Sequence, residues 1–339
     1  MSAEQKKPGL SSGTALLSVN DLKVHFPQKQ GLVEAVLHPE KRRYLKAVDG
    51  VTFKLQAGET LGVAGESGCG KTTLAKTLVR LYRPTEGEIL FLGERIAHLK
   101  GKELTRFRKK AQMVFQDPYE SLNPRFTVRA ILEEPLVIHG FGNARERQER
   151  IVSTLGMAGL LPPEAFLPRY PHEMSGGQRQ RVAIARVLVL EPSFLVADEP
   201  VSMLDVSIRA GVLNLLGTLI QRLGLAGIYI SHDLSLIRYM CDRTAVMYLG
   251  RIVEMGSTEG VIRHPLHPYT QALVAAVPVP EIGRPSRVNL EDEPPNPLDI
   301  PRGCRFHPRC PRAKGICQEV PPPSVVVDAD RQVECHLYS

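Results

Sequence analysis

The chain of 339 residues has no tryptophan, and Phe and Tyr together supply an aromatic content of only 6%. Surfaces that read nucleic acid interleave basic side chains with stacking aromatics on one face. Here the net charge of +7 is scattered over separate clusters at residues 41–43, 106–110 and 145–150, which reads as solvated surface and argues against a nucleic-acid partner. No stretch approaches the roughly 18 consecutive apolar residues that cross a bilayer. Residues 1–14 are polar and lack the apolar centre of a signal peptide. The expectation is a chain that stays in the cytosol, where disulfides are rare, and that does any membrane work through a partner. No internal repeat or heptad run is present.

What is there is ordinary globular material, 43% apolar and 23% charged. Residues 1–18 are rich in Ser, Gly and Lys and are expected to be a disordered tail. Across residues 19–256 short apolar runs alternate with amphipathic stretches, the pattern of an α/β domain with a parallel sheet. Residues 257–339 form a Pro-rich extension that carries four of the six cysteines.

Three motifs carry chemistry. Gly65, Glu66, Ser67, Gly68, Cys69, Gly70, Lys71, Thr72 and Thr73 follow a strand-like run and open a helix expected over residues 71–81. A phosphate chain needs backbone N–H groups on several sides, glycines let the loop wrap, and the positive end of the following helix adds a favourable field. Lys71 then reaches the β- and γ-phosphates and Thr72 offers its hydroxyl to Mg²⁺. For Cys69 the reading is a neutral filler whose backbone does the binding. Downstream, the apolar run from Phe194 ends in Asp198 and Glu199, a buried strand whose carboxylates emerge where parallel sheets collect ligands. Asp198 is expected on Mg²⁺, and Glu199 on the attacking water, the task phosphoryl transfer leaves to the protein. Between them Ser175, Gly176, Gly177 and Gln178 begin a helix with free N–H groups, a second anion-binding terminus in one chain.

These motifs together resemble the nucleotide-binding domain of the ABC ATPases, over roughly residues 19–256. The resemblance implies a P-loop core with a parallel sheet and helices, an antiparallel β subdomain and a helical subdomain bearing the signature motif. It makes Met174 to Gln178 the signature, with Met replacing the usual Leu. Gln116 becomes the glutamine that senses Mg²⁺ and the γ-phosphate, and His232 the switch histidine. Asp205 belongs to the D-loop, where Met203 replaces the usual Ala. The adenine is expected to stack on Phe26 or on Tyr44, the two being separated by an insertion over residues 27–43. The signature loop serves the phosphate loop of an opposing subunit, so ATP is held between two subunits. Hydrolysis then reopens the pair.

Residues 117–124 after Gln116, His264 to Thr270, and the run from Gly303 to Cys310 are similar to the ATPases of dipeptide and oligopeptide importers, a subfamily that also serves nickel, sugars and opines. The implied partners are a second ABC ATPase, two transmembrane permease subunits and an extracytoplasmic solute-binding protein, with this chain peripheral at the cytoplasmic face of the membrane. A soluble ABC ATPase without a permease is the alternative from another class, and generally carries two nucleotide domains or a coiled-coil insertion. Cys304, Cys310, Cys317 and Cys335, spaced by 5, 6 and 17 residues, are expected to bind a metal more readily than to pair. An iron–sulfur cluster such as [4Fe-4S], a zinc ion with His307 or His336 substituting, and free thiols all stay open. Cys241 reads as core.

Overall fold

A computed structural model describes residues 15–28, 44–117, 121–276, 295–328 and 331–339. Among these residues two sheets form. The first is antiparallel, with β1 (Leu17–Pro27), β2 (Tyr44–Leu55), β4 (Glu86–Phe91) and β5 (Glu94–Arg95) in the order β2-β1-β4-β5. Leu17, Val19, Leu22 and Val24 turn one face of β1 into the core, and the register shifts around Asp21 (φ 43°) let the ribbon bend.

The second sheet is mixed. β3 (Thr60–Ala64), β6 (Ala111–Val114), β7 (Phe194–Asp198), β8 (Ala226–Ser231) and β9 (Arg243–Tyr248) run parallel. β10 (Arg251–Ser257), β12 (Arg331–Glu334) and β11 (Ser324–Asp328) extend it antiparallel, giving the order β11-β12-β10-β9-β3-β8-β7-β6. β7 and β8 are buried at every position because both faces of the sheet are covered, which is why their sequences are near-continuous apolar runs. One face packs with helix Lys71–Leu78 against the antiparallel sheet. The other carries helices Val206–Leu223 and Leu234–Met240. A third core, under Val128, Ile131, Leu132 and Leu155, joins helices Val128–Ile138 and Ala144–Met157 to helix Gly176–Leu188.

Two expected boundaries shift. The tail expected over residues 1–18 ends too late: Leu17 is fully buried and pairs with both Leu55 and Phe91, so the fold begins before residue 18. Residues 1–14, most of the insertion after Phe26, and residues 118–120 lie outside the described residues. The helix expected over 71–81 stops at Leu78, because Arg80 takes a left-handed backbone (φ 58°) and donates from Nε to Ile96 O at 2.7 Å.

The extension does not stand apart from the core. β12 pairs with β10 through Glu254 and Val333. Phe306, Cys304 and Cys317 join the same apolar cluster as Tyr248 and Tyr269. Glu254, fully buried, accepts from Arg331 Nη2 at 2.6 Å and from the N–H groups of Leu266 and His267 at 3.0 and 2.8 Å. A carboxylate so placed holds only while those donors stay.

Candidate nucleotide site

The loop between β3 and helix Lys71–Leu78 closes around one ammonium group. Lys71 Nζ is buried and donates to Gly65 O at 2.7 Å and Glu66 O at 2.8 Å. Gly70 caps the helix with φ 108°, and a Cβ there would run into Ala47 O, so neither the turn nor the approach of β2 tolerates a side chain. Cys69 is buried, with Sγ 3.8 Å from Lys71 Nζ. Its carbonyl accepts from Gly250 N at 2.9 Å, and burial pushes its thiol up, which suits a neutral filler.

The tips of the parallel strands deliver the other groups to the same edge. Thr72 hydrogen-bonds Asp198 at the end of β7; burial pushes that carboxyl up, and its Oδ1 is left without a partner. A hydroxyl beside an orphaned buried carboxylate oxygen fits a divalent cation in kind and position. Glu199 sits in left-handed backbone (φ 44°), pinned by its N–H to Ile230 O at 3.0 Å and by Ser202 Oγ to its carbonyl at 3.0 Å. That twist turns its carboxylate to the opening. Gln116 Nε2 donates to Glu199 Oε2 at 3.2 Å, and His232 Nδ1 lies 3.0 Å from Glu199 Oε1.

These groups face a cavity of about 760 Å³ lined by Ser67 to Thr73, Gln116, Glu199 and His232, together with Leu45, Lys46, Ala47, Leu249, Gly250 and Pro297. Its size and polar floor suit a nucleotide. Neither aromatic expected to stack on adenine lines it. Phe26 is packed edge-on against Tyr82 at 5.4 Å, and Tyr44 stands exposed at the hairpin end beside Leu45. The signature residues also face elsewhere. Ser175 and Gln178 cap helix Gly176–Leu188 reciprocally, with Gln178 N to Ser175 Oγ at 3.3 Å and Ser175 N to Gln178 Oε1 at 3.1 Å. A Cβ on Gly177 would lie 2.6 Å from Ile208 Cγ2, so glycine lets this helix pack on helix Val206–Leu223, whose N-cap is Asp205. Ser175, Gly176, Gly177, Gln178 and Asp205 therefore lie outside the cavity that holds Lys71.

The extension's thiols converge. Cys304, Cys310, Cys317 and Cys335 line one cavity of about 10 Å³. Backbone N–H groups of Phe306, Arg312 and Leu337 donate to the sulfurs of Cys304, Cys310 and Cys335, and Lys314 N donates to Cys317 Sγ at 3.4 Å. Burial pushes Cys304 up to about 11. All four are free thiols, and among the described residues no group of three or more His, Cys, Asp or Glu side chains is arranged to hold a metal ion. His336 engages both ring nitrogens, with Val320 O and Ser339 Oγ, which removes it from the expected zinc set. Cys241 lies in the core as expected.

Sequence reasoning missed Leu45 to Ala47, Leu249, Gly250 and Pro297 in the cavity lining. Tyr269 lies in the run from His264 to Thr270 and Arg309 in the run from Gly303 to Cys310, where neither pointed to the loop.

The fold and site define a P-loop nucleotide-binding ATPase. A family model described as ABC transporter matches residues 48–202, and one described as oligopeptide/dipeptide transporter, C-terminal region, matches residues 253–317. The oligopeptide transport ATP-binding protein AppF of Bacillus subtilis is 49% identical over 96% of this chain and 98% of its own length. The dipeptide transport ATP-binding protein DppF of Haemophilus influenzae is 47% identical over 92% of this chain and 94% of its own. Among solved structures, the post-hydrolysis dimer of the ATP-binding cassette MJ0796 bound to ADP and Pi superposes with a TM-score of 0.60 at 29% identity, covering 71% of this chain and 98% of that one. The chain belongs to the oligopeptide/dipeptide family of ABC transporter ATP-binding proteins. No helix among the described residues is long and apolar enough to cross a membrane.

Proposed function

We propose that this chain binds and hydrolyses ATP in the 760 Å³ cavity and powers the import of di- or oligopeptides. The observation that carries the catalytic part is the convergence of Gln116 and His232 on the two oxygens of Glu199, at the mouth of the phosphate loop. Phosphoryl transfer asks the protein mainly for positioning and charge. Lys71 and the loop N–H groups hold the phosphates. Glu199 orients the attacking water and takes its proton, while Gln116 and His232 fix the carboxylate and report on the γ-phosphate. Mg²⁺, held by Thr72 and Asp198 with Gln116 close by, supplies positive charge to the phosphate oxygens when bound. The adenine rests against Leu45 and its neighbours, next to Tyr44.

Ser175 to Gln178 and Asp205 face away from this chain's own Lys71, which supports their use on the ATP of a second ATPase subunit. That subunit is an identical copy or a paralogue. Closure of the pair around ATP and its opening after hydrolysis bias two permease subunits between two states, a population shift driven by nucleotide. An extracytoplasmic solute-binding protein delivers the peptide, and this chain rides peripherally on the cytoplasmic face. A metal at Cys304, Cys310, Cys317 and Cys335 would need these thiols, which line one small cavity, to lose their protons and close in on it. An iron–sulfur cluster or a single zinc ion would satisfy that donor set, and iron, acid-labile sulfide and zinc measured on anaerobically purified protein decide between them.

The test is purification from detergent-extracted membranes. Recovery with two membrane subunits and peptide-stimulated ATP hydrolysis supports the proposal. Stimulation by nickel alone would move the substrate, and recovery as a soluble ribosome- or DNA-bound particle would overturn the transport role.

A further inference from the structure

We infer that Arg309 is a positioning residue for the phosphate loop, neutralising Glu66 so that the loop can accept a triphosphate; this rests on the reading of the cavity as an ATP site. Glu66 is the second residue of the loop, and its carbonyl is one of the two that hold Lys71 Nζ. Its carboxylate points back into the extension. Arg309 meets it with two parallel bonds, Nη1 to Oε2 at 2.8 Å and Nη2 to Oε1 at 3.0 Å, and the Arg309 side chain is only 5% exposed. Bidentate geometry of this kind fixes direction as well as charge. The guanidinium is itself held, 6.0 Å from the Tyr248 ring centre and 5.9 Å from that of Phe306. Glu66 N–H donates to Tyr269 Oη at 2.9 Å, so side chain and backbone of one loop residue are both tied down by residues beyond 257.

A second strut comes from the same short turn. Arg305 donates to Leu249 O and to the Asp49 carboxylate. The next residue, Gly250, holds Cys69 O through its N–H. Arg309 thus bonds the loop itself, and Arg305 braces the turn that holds Cys69, both from a segment flanked by Cys304 and Cys310.

The charge argument fixes the sign. With Arg309 removed, Glu66 keeps a carboxylate in a loop built to receive a polyanion, and that carboxylate repels the phosphates. With Arg309 and the Glu66 charge removed together, the repulsion goes. A merely structural strut predicts no such recovery.

The experiment measures binding of the β,γ-imido analogue of ATP with Mg²⁺ by calorimetry to the full chain, alongside its thermal midpoint without nucleotide. Arg309→Met should weaken binding by about tenfold, the size of one unit charge's effect at roughly 12 Å and an effective dielectric of about 20. Arg309→Lys, which keeps the charge but not the fork, should lose less. Glu66→Gln with Arg309→Met should regain most of the affinity even if its midpoint stays low. Equal affinity of wild type and Arg309→Met, or a double variant as weak as the single one, overturns the inference. If Arg309→Met does not fold, the Lys variant and the double variant decide alone, in the same directions. A wild-type chain that binds no analogue overturns the nucleotide reading and takes this inference with it.

Discussion

Replacing Glu199 by Gln keeps shape and removes the proposed base. Both carboxylate oxygens are engaged, by Gln116 Nε2 at 3.2 Å and by His232 Nδ1 at 3.0 Å. The amide introduced there retains one acceptor and turns the other position into a donor. Rotation of the Gln116 amide or a change of His232 tautomer then restores a partner for it, so the walls of the cavity survive. Lys71, Thr72 and Asp198 are untouched, and ATP should bind as before. Proton abstraction is what goes. A positioned base contributes about 10²- to 10⁴-fold, or about 3–5 kcal/mol of barrier, and that loss should fall on kcat. Steady-state hydrolysis with a phosphate-release assay, run beside nucleotide binding and sizing of the ATP-bound dimer, separates the terms. The expected result is hydrolysis down by at least about a hundredfold, unchanged ATP affinity and a longer-lived dimer. Hydrolysis within about tenfold of wild type would remove Glu199 as the base.

Lys71→Ala should weaken ATP binding by about ten- to a hundredfold, since it deletes a charge-assisted contact to phosphate; normal affinity in a titration would contradict the phosphate-loop assignment. Arg331→Met leaves the fully buried Glu254 carboxylate short of its cation. That should cost about 3–5 kcal/mol and lower the thermal midpoint by about 6–10 °C, and a shift below about 2 °C would show that the extension is not locked to β10 there. Gly177→Ala should cost about 1–3 kcal/mol by forcing a methyl group against Ile208, with recovery when Ile208→Ala is added; calorimetric melting without recovery would reject the close packing of the two helices.

The parts legible in sequence were those whose chemistry is local. The run before the phosphate loop and the run from Phe194 stand in the sequence as apolar stretches of strand length, and the structure makes them the strands Thr60–Ala64 and Phe194–Asp198. The phosphate loop was legible because glycines at fixed spacing before a helix have few other uses. Glu199, Gln116 and His232 could be named, but their convergence depends on three strand tips brought together by parallel pairing across 116 residues, which no local pattern states. The extension was the least legible. Its strands β11 and β12 are short, one of them largely exposed; β12 is placed by pairing with β10 about 77 residues upstream, and β11 by pairing with β12. Arg309 and Tyr269 gave no signal beyond their presence in the runs Gly303 to Cys310 and His264 to Thr270, because a guanidinium meeting a carboxylate 243 residues away has no periodicity.

The most direct test of the account is peptide uptake. The chain, co-purified with the two permease subunits and second ATPase proposed for it, is placed in vesicles with the proposed solute-binding protein and labelled oligopeptide on one side and ATP on the other. The account predicts accumulation of peptide that requires ATP and stops when Glu199 is replaced by Gln. Peptide uptake that proceeds without ATP, or ATP hydrolysis indifferent to peptide and binding protein, would contradict it.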